Sequence, residues 1–208
     1  MNIKRPLKPL AFLIAMGSTS SVFAALTTNV EIAGKVTPTA CNIVASQAKL
    51  DLGSIQPDAT AKVAEIVRPL GTLTLTCTSP TQVHIAYTST GIKTPNSDLI
   101  PAAWSQAGKS LSPLHVMPAK VTTNNVAGNL MTRSAPGSLW VALPADSAIP
   151  LATAAGNQVA FAGQNQNALA ITNAVIELSA KFNEIPKVDF GQGEISANQT
   201  LTFELKYL

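Results

Sequence analysis

The residues of this chain that could do chemistry are few, and its two cysteines are the most informative of them. Cys41 and Cys77 are the only cysteines in the sequence. In a protein exported to an oxidising compartment we expect two cysteines to form one disulfide, and the alternative is a pair of buried thiols. Cys77 shares a period-2 phase with Leu73 and Leu75, so its sulfur is predicted to point into the core.

The other reactive side chains do not form a catalytic or metal-binding group. His84 and His115 are the only histidines, and we predict that both lie at the surface or rim of the fold. The tripeptide Gly-Lys-Ser at 108–110 lacks the earlier glycine of a phosphate-binding loop, because position 103 is alanine. A metal site needs several ligands at compatible spacing, and the histidines and cysteines do not provide it. We therefore predict a non-enzymatic protein without a cofactor or a metal site.

The elements around these residues are predicted to be β-strands. Helical periodicity is hard to find, whereas short alternating runs separated by Gly, Pro, Asn, Asp and Ser recur along the chain, which is an all-β pattern. The middle of the chain, from about 90 to 170, gives no predicted topology. The clearest strands are predicted at 30–36, 72–77, 83–87 and 174–182, and within the middle region strand-like runs occur only at 114–117, 139–143 and 159–162.

The last nine residues, 200–208, form the most regular of these runs. No segment follows to pair with the free edge of this strand. We therefore expect another element to cover the unpaired backbone groups of that edge. The apolar positions alternate with threonines and charged residues, which is typical of a half-buried strand; they are Leu201, Phe203, Leu205 and Tyr207.

The first 24 residues have the organisation of a secretory signal peptide. Three basic residues precede a short apolar run at 10–16, and small residues lead to Ala24. We predict cleavage between Ala24 and Ala25, which leaves one domain over residues 25–208. The apolar run is too short to span a bilayer, so no membrane span is predicted.

The charge of the mature chain argues against a nucleic-acid partner. The full sequence has 14 Lys and Arg against 11 Asp and Glu, and three of the basic residues lie in the predicted signal peptide. Eleven basic side chains then remain against eleven acidic ones. A nucleic-acid surface needs clustered positive charge, so we predict no such surface here.

Several of these features together resemble the chaperone-usher pilins, the fimbrial subunits of Gram-negative bacteria. The order and spacing of the matching segments cover both ends of the mature chain but not its middle. They are the signal peptide, the run 30–36 before Cys41, Leu50-Asp51-Leu52-Gly53, the run 71–77, and the final strand with its penultimate Tyr207.

The resemblance implies an incomplete immunoglobulin-like β-sandwich completed by a donor strand in trans. A periplasmic chaperone would supply that strand first, and the N-terminal extension of another pilin subunit would replace it during assembly at the outer-membrane usher. Main-chain hydrogen bonds give such strand addition its affinity, and side-chain pockets give its specificity. On this resemblance Phe203, Leu205 and Tyr207 line the groove, and the carboxylate of Leu208 meets the chaperone.

The donor segment that the resemblance implies is short. It covers about residues 25–33, with apolar positions at Leu26, Val30 and Ile32. Only five residues separate the predicted cleavage point from the alternating run that begins at Val30, and five extended residues reach about 16 to 18 Å. Either the segment also donates through Val30 and Ile32, or the subunit takes a terminal or unusual place in a fibre.

The sequence therefore predicts a structural subunit of a surface fimbria, exported through the periplasm to the cell surface, with a role in adhesion left open. The resemblance also pairs Cys41 with Cys77. The alternative is a self-contained secreted β-sandwich that binds carbohydrate or a host surface through loops of the 90–170 region. The two hypotheses differ in whether the last strand needs a partner.

Overall fold

Strands and turns make up the part of the chain that the computed structural model describes, which is residues 40–52, 55–94, 100–151, 156–188 and 193–208. Within these ranges there is no α-helix, and one 3-10 turn covers Gln164–Gln166. The strands are β1 (Cys41–Ala45), β2 (Ile66–Ser89), β3 (Ala102–Gln106), β4 (Lys109–Thr123), β5 (Val126–Ala127), β6 (Leu130–Arg133), β7 (Val141–Ala142), β8 (Gln158–Phe161), β9 (Ala170–Phe182), β10 (Ile195–Ser196) and β11 (Leu201–Tyr207).

The long strand β2 connects two groups of strands. Its first part pairs with β1 and β9, and its last part pairs with β11 and β8, all in the antiparallel sense. The register with β9 shifts between Thr76 and Thr81. Pro80 lies in this interval and has no N–H to donate to a neighbouring strand. The ladder is therefore interrupted there, and the chain passes from one group of strands to the other.

Two antiparallel sheets result from this change of partner. The first sheet contains β1, the first part of β2, β9, β4 and β5, and the second contains β11, the last part of β2, β8, β6 and β7. Side chains from both sheets share one buried cluster, which includes Leu75, Ile176, Tyr87 and Phe161. The fold is thus all-β and antiparallel, and the arrangement is consistent with a β-sandwich.

The inward face predicted for the strand at 72–77 is confirmed by the burial of its side chains. Leu73, Leu75 and Cys77 are all buried, as their shared phase in the sequence requires. The predicted strands at 72–77 and 83–87 are two parts of β2, and the one at 114–117 is a part of the longer β4.

His84 is an exception, because it is buried and not at the surface as predicted. Its relative exposure is 6%, although it does lie on the outer face of the second sheet. The residue opposite it on β8 is Ala160, which belongs to a small buried cluster with Met131 and Trp140. The segment that carries Trp140 covers this outer face. A side chain that points outward from the sheet is therefore not exposed to solvent here.

Several predictions of the sequence concern residues outside the described ranges. Among them are the predicted cleavage site at Ala24 and Ala25, the donor positions Leu26, Val30 and Ile32, and the strand at 30–36. In the described part of the chain, no helix is long and apolar enough to cross a membrane.

Candidate functional site: a cleft beside the last strand

The last strand, β11, is paired along one edge only among the described residues. Its pairing with β2 runs from Leu201 opposite Ser89 to Tyr207 opposite Val83. The backbone N–H of Leu208 extends this ladder by donating to the carbonyl of Gln82 at 3.2 Å. No described strand pairs with the other edge of β11, so that edge presents backbone donors and acceptors that another strand can use.

The two faces of β11 differ as the sequence predicted. Leu201, Phe203 and Leu205 are half-buried and pack against the core, while the intervening residues are exposed. Phe203 lies directly opposite Tyr87 on β2, and the two rings are stacked with centroids 5.0 Å apart. Burial raises the pKa of the Tyr87 phenol, so this ring pair is neutral at any ordinary pH. The stack fixes the inward face of β11 against the core.

A cleft of about 850 Å³ with an apolar floor begins beside the first part of β11. One wall is the segment 45–57, excluding the undescribed 53–54, and the other wall is 194–203. Leu50, Leu52 and Ile55 pack against the same buried cluster as Leu201. The floor of the cleft is contributed by β2, β3, β4 and β9, through Leu73, Trp104, Leu114, Leu178 and Phe182.

The cleft is closed at the end where β11 finishes. The backbone N–H of Cys41 donates to the Tyr207 hydroxyl at 3.0 Å, and Cα atoms of β1 and β11 approach to within 8 Å. Hydrogen-bonded strands lie about 4.8 Å apart, so a strand inserted between two others needs about 9.5 Å between them. There is therefore no room for an inserted strand at this end.

A disulfide holds β1 at the closed end. Cys41 and Cys77 are bonded, with an S–S distance of 2.07 Å, and they face each other across the β1–β2 ladder. This confirms the pairing predicted from the sequence. Because the bond joins β1 to β2 beside the Tyr207 hydroxyl, it fixes the position of the strand that closes the cleft.

The predicted groove residues lie at different places along β11 relative to the cleft. Phe203 lines the cleft, whereas Leu205 packs against the core beyond it. Tyr207 closes the end of the cleft, and its side chain is 54% exposed. Leu208 is 45% exposed at the end of the strand.

Sequence reasoning missed the wall opposite β11 and the floor residue Trp104. The alternation of Leu50 and Leu52 was visible as a short strand-like run. Nothing local in that run indicates that it stands across from a strand about 150 residues later in the chain. Trp104 falls in the region of the sequence for which no topology could be predicted.

The described residues contain no candidate metal site. They contain no group of three or more His, Cys, Asp or Glu side chains that could hold a metal ion. The cleft is apolar at its floor, and the charged residues that line it, Lys49, Asp51 and Glu194, lie on its two walls. A cleft with an apolar floor suits the binding of an apolar segment.

The buried His84 predicts a pH dependence of folding. Burial, and then the charges of Arg133 and Lys206, lower the pKa of its imidazole, while Glu204 partly offsets this. The unfolded imidazole has a pKa near 6.5. Between the two pKa values the unfolded chain binds more protons, so stability is complete above about pH 6.5 and falls as the pH drops below it. Each histidine contributes a slope of at most about 1.4 kcal/mol per pH unit.

Urea unfolding at pH 7.5 and pH 5.5 measures this slope. His84→Gln should reduce the difference in unfolding free energy between the two pH values. His115→Gln measures the contribution of the other histidine to the pH dependence separately, because burial and Lys181 also lower the pKa of His115. The lowered pKa of Asp58 acts below its ordinary 3.8 and so lies outside this window. An unchanged slope in the double variant would contradict the assignment.

The cleft and the free edge of β11 are the features of this protein that bear on its function. Comparisons of this chain with protein-family models, with curated proteins and with solved structures found no match.

Proposed function

We propose that this protein is a non-enzymatic structural subunit of a bacterial surface fimbria, assembled by donor-strand exchange with a periplasmic chaperone and an outer-membrane usher. The observation that supports the proposal is the free edge of β11, among the described residues, beside a cleft with an apolar floor. An edge strand of this kind is a template for pairing and is normally covered. A strand from another polypeptide covers it in the proposed complex.

Strand addition uses both parts of this feature. The edge of β11 supplies main-chain hydrogen bonds, which give affinity without regard to sequence. The floor of the cleft supplies apolar surface for alternate side chains of the added strand, which gives specificity. Half-buried Leu201 and Phe203 lie where the two meet, and each would lose its remaining contact with water when the strand binds.

The exposed end of β11 supports the proposed recognition by a chaperone. Leu208 is held to β2 through its own N–H, while much of the residue remains exposed. Its carboxylate therefore stands at the end of the free edge, where basic residues of a chaperone can reach it. A carboxylate pairs well with Arg or Lys in a partly dry interface.

The disulfide fits the proposed route through the periplasm and on to the cell surface. Disulfides form and persist in oxidising compartments and are rare in the cytosol. The Cys41–Cys77 bond is part of the fold and secures β1 beside the cleft.

Periplasmic co-expression with candidate chaperones tests the proposal. We expect the mature chain to co-purify with one of them and to aggregate or oligomerise without it, because the edge and cleft then have no cover. Electron microscopy of cells that also carry an usher should show fibres. A mature chain that is a stable monomer without any partner would contradict the proposal and favour a self-contained sandwich that binds ligands through its 90–170 region.

A further inference from the structure

One row of side chains crosses the outer face of the second sheet and has an ionisable group in its buried part. The row passes from β7 through β6, β8 and β2 to β11, and its members are Ala142, Met131, Ala160, His84 and Lys206. The three central members are buried, whereas Lys206 is exposed at one end. Of these three, His84 is the one that can acquire a charge.

The surroundings of His84 do not favour that charge. Its Nδ1 atom is buried and has no hydrogen-bond partner among the described residues. Burial, and then the charges of Arg133 on β6 and Lys206 on β11, oppose a charged imidazole, and only Glu204 on β11 favours it. Neither β8 nor the segment 162–169 carries an ionisable residue. A charged imidazole would therefore be desolvated and would face more positive than negative charge.

Residues 134–140, which we call the Trp140 cover, lie over this row. Trp140 belongs to one buried cluster with Met131 and Ala160, and its ring centroid is 4.4 Å from the guanidinium carbon of Arg133. The cover contains no charged residue. It therefore places apolar surface over the row and offers nothing that could neutralise a charge beneath it.

The Trp140 cover is attached to the fold by few contacts. The β6–β7 ladder that follows it is only two residues long, and Leu139 and Val141, on either side of Trp140, are exposed. The chain beyond the cover is anchored, because the N–H of Leu143 donates to the carbonyl of Leu130 at 3.0 Å. Segments with few buried contacts open at a lower free energy than the whole fold. The cover can thus open while both sheets remain.

We propose that His84 and the Trp140 cover form an acid-sensitive switch, in which charging of the imidazole lifts the cover from the outer face of the second sheet. The switch goes beyond the proposed function and does not rest on it. In the open form the imidazole is hydrated and has its ordinary pKa near 6.5, whereas in the closed form its pKa is lower. The open form therefore binds more protons, and its population rises below about pH 6.5 by at most about tenfold per pH unit.

Oxidation of Met131 by hydrogen peroxide measures the opening. Opening exposes this buried thioether, which peroxide converts to the sulfoxide. Met117 is the other methionine that remains after the predicted cleavage. It lies on β4 in the first sheet and serves as the internal reference. A thioether does not titrate in this range, so a change in the ratio of the two oxidation rates reports opening.

The experiment uses the mature chain as it is purified, alone or bound to a chaperone, because mass spectrometry reads the two methionine peptides separately. We expect the oxidation rate of Met131 relative to Met117 to rise about fivefold from pH 7.5 to pH 5.5. Low concentrations of urea should change this ratio little, because opening of the cover exposes little surface.

Four variants test the parts of the switch. His84→Gln cannot acquire a charge and should abolish the rise at pH 5.5. Lys206→Gln removes a charge that opposes the imidazolium in the closed form and should make the rise smaller. Trp140→Ala removes the cover and should give rapid oxidation at both pH values. His115→Gln changes the histidine of the first sheet and should leave the rise intact.

The contrary outcomes are equally specific. An equal ratio at the two pH values, or a rise that His84→Gln retains, would overturn the switch. A steep increase of the Met131 rate with urea would show that the whole fold opens, which would also overturn it. If His84→Gln disturbs the fold and is oxidised rapidly at pH 7.5, Lys206→Gln decides, and an undiminished rise in that variant would contradict the proposal.

Discussion

Phe203→Ala is expected to lower capture by the periplasmic chaperone by about tenfold. Phe203 both lines the cleft and stacks on Tyr87, so its removal takes away a contact for the added strand and loosens the inward face of β11. Full burial of a phenylalanine side chain is worth about 1.5 to 3 kcal/mol. Phe203 is half-buried before the strand is added, so completing its burial is worth about half of that range, and 1.4 kcal/mol is about a factor of ten in binding. Co-purification yield with tagged chaperone measures the effect.

Two variants on the same strand control for simple unfolding. Glu204→Gln changes the neighbouring exposed position, whose ion pair with Lys206 at 3.2 Å lies at the surface and contributes little. Tyr207→Phe removes the hydroxyl that accepts from Cys41 but leaves the cleft itself. Both should be captured normally. Capture of a chain lacking residues 203–208 at the level of the unaltered chain would refute the role assigned to β11.

Replacing both cysteines by alanine is expected to lower the free energy of unfolding by about 4 kcal/mol. The bond closes a loop with a sequence separation of 36, and in the chain-entropy model such a loop restricts the unfolded chain by about that amount. Because the free energy of unfolding of a single domain is only about 5 to 15 kcal/mol, the disulfide accounts for a large part of it. Urea unfolding of the variant and the unaltered chain under identical conditions measures the difference.

Reduction of the unaltered chain gives an independent comparison. Treatment with dithiothreitol should bring its unfolding midpoint to that of the double variant, because both lack the same constraint. Alkylation without reduction should label neither cysteine. A variant that keeps the full free energy of unfolding would show that the residues of β1 and β2 hold together without the bond.

Local alternation in the sequence was sufficient to predict part of β2, and β9 and β11, as strands. Alternation in β11 as far as Leu205 and in the first part of β2 correctly predicted which side chains are half-buried or buried, because a strand places successive side chains on opposite faces. Tyr207 shares the apolar phase but is exposed at the end of the strand. The same phase, together with two cysteines in a chain with an export signal, predicted the Cys41–Cys77 bond. These properties depend on neighbours a few residues away, or on the number of cysteines.

His84 and the middle of the chain show where local reasoning ends. The outward phase of His84 was correct, but Trp140 and Met131, which follow it by about 50 residues, cover that face. The sequence from 90 to 170 lacks regular alternation, yet it forms β3 to β8. A period-2 pattern reports which face a residue occupies and carries no information on what lies above that face.

The sequence by itself thus determined the all-β class, the inward face of the last strand and the disulfide. Only the tertiary structure decided that the cleft has a second wall at 45–57, a floor that includes Trp104, and a closed end. The closure joins Cys41 to Tyr207, which are separated by 166 positions. Contacts between residues so distant depend on how the two sheets are stacked, and a strand's own pattern of side chains does not encode that arrangement.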